Sequence, residues 1–187
     1  METTQVIRKR CSLKGHFSPQ AIEPEKINLI LEAGRLAPSA RNTQPWRFIV
    51  VQRKIMVETL VSEAFMEPNQ VARDAPVIIV LCARPADDVT RDGKEYYLFD
   101  AGLAMENMLL AATDLGLATH PMTGVSEAAI KKILEIPDDI RVVAVTPVAY
   151  PAEGSYDAAA KDRLSQRTRK DLKDIIYYNK WSELEPA

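Results

Sequence analysis

Cationic and hydrogen-bonding side chains recur at three places where a plain apolar core has no use for them. In Arg10-Cys-Ser-Leu-Lys14 two cations and a hydroxyl fall within five residues. On an extended stretch residues 10, 12 and 14 point to the same side. Arg10, Ser12 and Lys14 can therefore converge on one anion, the guanidinium offering a planar fork to phosphate oxygens. A solvated basic segment is the plainer account of the same spacing. Pro38-Ser-Ala-Arg-Asn-Thr-Gln-Pro-Trp46 is polar, bounded by prolines and too long for a tight turn. Ser39, Asn42 and Gln44 supply donors and acceptors there, beside the stacking face of Trp46; a purely structural loop is the alternative. In Thr119-His-Pro-Met-Thr-Gly124, Pro121 and Gly124 constrain the backbone, and the N–H groups of Thr123 and Gly124 are left to face a ligand. An ordinary strand-to-helix turn would account for that segment too.

Other chemistries lack their residues. The glycines, at 15, 34, 93, 102, 116, 124 and 154, include no two separated by a single residue. The Gly-x-Gly-x-x-Gly dinucleotide fingerprint is therefore absent, as is a phosphate loop ending in Gly-Lys-Ser/Thr. The Gly-x-Ser-x-Gly elbow of serine hydrolases is missing. His16 and His120 are the two histidines and neither has metal-ligand spacing, so no metal is expected, although carboxylates alone can hold magnesium. Cys82 lies in an apolar run and reads as inert core. Cys11, between Arg10 and Ser12, has neighbours that can lower a thiol pKa.

The elements that must position these segments follow from the apolar pattern. Pro24-Glu25 opens a helix whose Ile27, Ile30, Leu31 and Gly34 share one face and which ends before Pro38. Phe48–Val51 reads as a strand, and Val57, Leu60, Val61, Ala64 and Phe65 mark a helix. Pro76–Ala83 is a stronger, β-branched strand, and Arg84–Lys94 a charged surface loop. Phe99–Leu115 is a central buried helix with Gly116 as its C-cap. A short strand over Ala118–Met122 follows. A helix capped by Ser126 then carries Ile130, Ile133 and Leu134, and Val142–Tyr150 is a third clear strand. Residues 154–162 look loose, Asp171–Tyr178 is a final short helix, and a tail with Trp181 closes the chain. On pattern alone, this alternation predicts a parallel α/β sheet.

The 187 residues favour one domain, 1–187, with enough chain for its own core. Lys+Arg total 24 against Asp+Glu 26, a net charge of -2, which argues against a general nucleic-acid binder. Two cysteines cannot build a disulfide framework, and a reducing cytoplasm fits best. Met1–Leu13 is polar, unlike a signal peptide. The longest apolar stretch, Leu98–Leu117, is interrupted by Asp100, Glu106, Asn107 and Asp114, so no membrane association is expected.

Together the three segments resemble the nitroreductase family of FMN-dependent oxidoreductases. The resemblance runs through Arg10-x-Ser-x-Lys14, Pro38-Ser-x-x-Asn-x-Gln-Pro-Trp46, Asp74-Ala-Pro-Val-Ile-Ile-Val80, Leu115-Gly-Leu-x-Thr-x-Pro-Met-x-Gly124 and Arg167-x-Arg169, in the family's order and spacing. It implies an α+β fold, a mixed and largely antiparallel sheet wrapped by helices, in place of the parallel one. It also implies an intertwined homodimer with FMN at the subunit interface and C-terminal segments embracing the partner. By motif, Arg10, Ser12 and Lys14 would contact the phosphate, ribityl chain and pyrimidine edge, with Arg167 and Arg169 near the phosphate. Pro38, Ser39 and Asn42 would come from the other protomer. Pro121, Met122, Thr123 and Gly124 would line the isoalloxazine with backbone N–H groups near N5 and O4, and Asn69 is a weaker candidate at the ring edge. Cys11, Val71 and Thr123 depart from residues common in the family; Val71 stands where some members place a lysine near the pyrimidine ring.

The chemistry implied is the cofactor's: hydride from NADH or NADPH to flavin N5, then reduction of a nitroaromatic or quinone on the same face in ping-pong fashion. No residue is nominated as a protein acid or base; His120 is the nearest candidate. A flavin-binding sensor or carrier without turnover is one competing class. An oxygen-using flavin enzyme of destructase or dehalogenase type is another, and it would need a substrate lid for which 187 residues leave little room.

Overall fold

Val77–Ala83 (β2) is the strand on which the rest is built, every one of its residues buried. The computed structural model describes residues 1–155 and 168–181. Residues 1–155 form one compact unit; a second spans 156–187 and is described over 168–181. In the first, Thr3–Lys9 (α1) and Pro24–Arg35 (α2) precede Trp46–Val51 (β1), Lys54–Ala64 (α3) and β2. Thr90–Arg91 (β3), Lys94–Glu95 (β4), Tyr96–Asp114 (α4), Ala118–Thr119 (β5), Glu127–Leu134 (α5) and Arg141–Ala149 (β6) follow. The main sheet has the order β1-β2-β6-β5.

A strand covered on both faces must be apolar throughout, and β2 sorts its side chains by alternation. Ile78, Val80 and Cys82 face one way, into a core with Val57, Leu60 and Val61 of α3 and Ile130 of α5. Val77 and Ile79 face the other way, against Ile27 and Ile30 of α2 and Met108 and Ala112 of α4. Leu81 joins Trp46, Ala101, Ala104, Met105 and Leu109 on that second side. Helices thus cover both faces. Gly34 permits the close approach of α2 to α4: a Cβ there would lie 2.8 Å from Met108 Cγ and 2.9 Å from Phe48 Cζ.

The parallel sheet predicted by the helix–strand alternation is not what forms. β1–β2, β2–β6 and β5–β6 are all antiparallel. A connection as long as residues 52–76 can return a strand in either direction, so alternation does not determine it. A parallel bridge between Ser12 and Thr119 at the outer edge makes the sheet mixed. The mixed, largely antiparallel α+β architecture implied by the family resemblance is the one observed.

Local differences have local causes. α4 starts at Tyr96, earlier than its apolar pattern, because Leu98 and Phe99 sit exposed at its first turns. The Arg84–Lys94 loop contains the β3–β4 hairpin, turned by Asp92 and Gly93 at φ 53 and 73, the positive values that a two-residue hairpin turn demands. α1 gives no amphipathic signal, since it buries Val6 alone. The final helix expected over Asp171–Tyr178 reduces to one 3-10 turn, Leu172–Asp174. Leu172, Ile175 and Trp181 there are exposed, and so short a helix does not hold without a buried face. Tyr177 and Trp181 stack with ring centroids 4.6 Å apart. Among the described residues no helix is long and apolar enough to cross a membrane.

Candidate functional site

The segment after α4 stays on the edge of β6. Ala118 and Thr119 pair with Ala149 and Val148, and Met122 resumes in the same register opposite Val145. Between them Pro121 has no N–H to donate, and the His120 N–H goes instead to Thr146 Oγ1 at 3.2 Å. Met122 is 3% exposed, belongs to the α3–α5 core, and exchanges both backbone bonds with Val145 (2.7 and 3.3 Å). Its N–H is therefore committed to the sheet. Thr123 and Gly124 differ: their N–H groups donate to no described residue, and Thr123 is exposed.

Two further segments meet this turn. Residues 12–15 run beside β5, with the Ser12–Thr119 bridge and the Leu13 N–H donating to the Thr119 carbonyl at 3.0 Å. Gly15, at φ 90, lies against Val71; a Cβ on it would sit 3.3 Å from Val71 Cβ. The 3-10 turn Glu67–Asp74 supplies Asn69, whose Nδ2 donates to the Gly124 carbonyl at 2.9 Å, and the Met66 N–H reaches the same oxygen at 3.1 Å. Ser12, Lys14, Asn69, Val71, Thr123 and Gly124 thus border one wall on the outer side of β6.

Electrostatics along the wall are graded. Burial, and secondarily the nearby Lys14 charge, holds the His120 imidazole below the usual 6.5, and its Nδ1 is buried without a hydrogen-bond partner. Arg10, half-buried, lies 3.7 Å from the Glu106 carboxylate of α4, an exposed contact that is worth little in itself.

The Pro38–Trp46 loop is elsewhere, at the opposite edge of the sheet, where it feeds into β1. The β1 and β5 edges are three strand spacings apart, roughly 14 Å. Ser39 Oγ accepts the Gln44 N–H at 3.0 Å and so closes the loop. Arg41, Asn42 and Gln44 take left-handed backbone (φ 53, 58 and 52), and Pro38 and Asn42 are exposed. Within one chain the loop does not join the wall. Arg169, in the second unit, is exposed and donates to the Thr168 carbonyl at 2.8 Å; Arg167 lies outside the described residues.

A cavity of about 1140 Å³ lined by Phe17, Ile22, Lys54, Glu58, Arg73 and Asp74 among others contains none of the candidate cofactor-binding residues. Sequence reasoning missed Gly15, Thr146 and the pair Asp88 and Asp100. Asp100 had a signal, a carboxylate inside a buried apolar helix; Thr146 and Asp88 had none.

Fold and wall together define an α+β protein with helices on both sheet faces and an amide-lined polar edge. The sequence profile of the Nitroreductase family matches residues 7–150. A protein of Archaeoglobus fulgidus, provisionally named NADH dehydrogenase/NAD(P)H nitroreductase, is 35% identical over 185 residues, covering 96% of this chain and 99% of its own. An iodotyrosine deiodinase of Haliscomenobacter hydrossis is 32% identical over 177 residues, 79% of each chain. A crystal structure from Desulfovibrio desulfuricans, provisionally named a nitroreductase and in complex with FMN, superposes with a TM-score of 0.80 at 25% identity, covering 100% of this chain and 99% of the other. The chain belongs to the nitroreductase family.

Proposed function

We propose that this protein is an NAD(P)H-dependent FMN oxidoreductase acting as a homodimer on a nitroaromatic or quinone acceptor. The observation that carries the reading is the wall, where the basic 10–14 segment and the two undonated N–H groups of Thr123 and Gly124 border one sheet edge. The residues present fit FMN. Arg10, Ser12 and Lys14 would hold the phosphate, ribityl chain and pyrimidine edge, with Arg167 and Arg169. Thr123 and Gly124 would orient the ring through their N–H groups, with Pro121 beside it, and Pro38, Ser39 and Asn42 would come from a second copy. The loop's position at the far sheet edge supports that last assignment. Bound FMN would supply two-electron transfer from NADH or NADPH to the acceptor.

The chain's own contribution is placement and charge. Lys14 brings a cationic side chain to this edge, and a fixed cation favours negative charge developing nearby. Asn69 has its Nδ2 engaged with Gly124, so it shapes the turn that presents the two amides. With no dinucleotide fingerprint for a separate nicotinamide site, donor and acceptor occupy one place in turn. Few polar groups are available to reject a near analogue, which favours broad acceptor tolerance. A cytoplasmic setting is supported by the low cysteine content, Cys11 and Cys82 alone.

The test is the absorption spectrum of the purified protein before and after anaerobic NAD(P)H, followed by release of the cofactor. FMN that bleaches with NADH or NADPH supports the reading, and initial rates should then give parallel double-reciprocal lines. Flavin that does not bleach would leave a sensor or carrier; released FAD, or no flavin after incubation with FMN, removes the proposal. The deiodinase relative at 32% identity favours a second reading, removal of halogen from a halogenated phenol. Iodide release from iodotyrosine, measured beside nitroaromatic reduction, separates the two.

A further inference from the structure

Two carboxyl groups that take no part in holding the cofactor tie down the loop carrying Ser39 and Asn42. Asp100, near the start of α4, is 1% exposed, and one of its oxygens accepts the Ala40 N–H at 2.7 Å. Asp88 accepts the Thr43 hydroxyl at 3.0 Å and the Val89 N–H at 2.7 Å through Oδ1. Ala40 and Thr43 flank Arg41 and Asn42, both in left-handed backbone that L residues avoid unless the surroundings impose it. Asp88 Oδ2 is buried and receives no hydrogen bond from any N–H or hydroxyl donor. An orphan acceptor in such a place is costly. A proton on the neighbouring Asp100 carboxyl removes the cost by donating to it.

We propose that Asp88 and Asp100 share a single proton and act as positioning residues, gripping the loop at Ala40 and Thr43 so that Ser39 and Asn42 keep the shape they present. The buried Asp100 carboxyl and the half-buried Asp88 carboxyl beside it cannot both ionise without strong repulsion. Burial pushes the Asp100 carboxyl up, the Ala40 amide takes back part of the rise, and the Asp88 charge adds to it. Of the cations on the adjoining elements, Arg91 and Lys94 of the hairpin are exposed, and Arg47 and Arg84 are engaged elsewhere. Arg47 of β1 lies 3.2 Å from Asp87, and Arg84 lies 3.9 Å from Asp87 and 2.9 Å from Asp139. Arg41 on the loop and Glu95 before α4 are exposed. As the pH rises through the raised Asp100 value the shared proton leaves to solvent, the pair becomes two anions, and the grip on the loop loosens. The functional weight of this device rests on the FMN reading, in which Ser39 and Asn42 reach the cofactor; the grip itself does not.

The test follows hydrogen exchange of the 39–44 segment by mass spectrometry across a pH series, corrected for intrinsic exchange, in wild type, Asp100→Asn and Asp100→Ala. An asparagine offers an acceptor to Ala40 and an N–H to Asp88, so it imitates the protonated acid permanently. Wild-type protection should fall as the pH rises. Asp100→Asn should keep the protection and lose the pH dependence, and Asp100→Ala should exchange faster at every pH, by about tenfold for one lost hydrogen bond. If Asp100→Asn exchanges as fast as Asp100→Ala, Asp100 works as an anion and the shared proton is wrong. If wild type shows no pH dependence, or Asp100→Ala stays protected, the pair does not grip the loop. Should Asp100→Ala fail to fold, wild type and Asp100→Asn still decide. FMN titration of the same samples separates the two readings: wild type that binds no FMN overturns the cofactor assignment while leaving the exchange result intact.

Discussion

Asn69 and Gly124 are fitted to each other from both directions. The Asn69 amide donates to the Gly124 carbonyl at 2.9 Å, and a Cβ on Gly124 would come within 2.8 Å of that same Nδ2. The backbone of Gly124 is not left-handed, so the glycine is required by the close approach and not by its torsion angles.

Gly124→Ala should therefore destabilise the protein by displacing the Asn69 amide, at a cost of about 1–2 kcal/mol for the lost bond and the crowding. In an Asn69→Ala background the same substitution should cost close to nothing. Urea unfolding of the four proteins of this cycle measures the coupling; additive losses would show that Asn69 is not the obstacle.

Arg10→Ala should weaken FMN binding by about 1.5–3 kcal/mol, the size of a hydrogen bond to a charged group, and riboflavin binding far less. The Glu106 contact it gives up is a surface pair of small value. Equal losses for FMN and riboflavin, read by flavin fluorescence, would mean that Arg10 acts through the fold.

His120 should make the protein acid-sensitive. Its pKa is lowered in the fold, so the unfolded chain binds the proton more readily and the stabilising contribution of the neutral ring is complete above the ordinary value of 6.5. It is lost as the pH falls from there through the lowered value. Replacing it, His120→Gln, should flatten the decline of unfolding free energy between about pH 7 and 5. An unchanged slope would place the acid sensitivity on other groups.

The two thiols should differ sharply. Burial pushes the Cys82 thiol up to about 11, and a thiol protonated at neutral pH inside a strand neither ionises nor meets reagent. Cys11 is only half-buried. A disulfide reagent at neutral pH should titrate one thiol per native chain and two after denaturation; native modification of Cys82, mapped by peptide mass, would contradict the packing of β2.

Where burial is local and continuous, the sequence was readable. The run over residues 76–83 announced β2, and the apolar pattern from residue 99 announced α4, because each side chain needs the same covering. Strand direction was not readable from alternation, since it depends on how long connections return; it came from motif resemblance. The 119–124 segment shows the limit most plainly. Its residue types marked it as unusual and its Thr123 and Gly124 N–H groups as available, but that Met122 serves the core depends on pairing with Val145, a contact no local pattern encodes. Likewise Asp100 stood out inside an apolar helix, yet its companion Asp88 lay unremarked in a charged loop.

That reliance on β6 has a kinetic side. β2 can find β1 early, but its other neighbour arrives only after α4 and α5 have been made, so joining them means closing a long loop before the pairing repays its entropy. The Asp92–Gly93 hairpin and the helices between are local and can form beforehand. The turn beside Met122 takes its register from Val145, which is nearer in sequence than β1 is to β2, so it can form with the local pairings. The Ser12–Thr119 bridge joins residues much further apart and closes last, so a nascent or partly unfolded chain would hold the ledge of Thr123 and Gly124 while still lacking the 10–14 segment beside it. Ligand capture is thereby deferred until the longest-range contact in the sheet has closed.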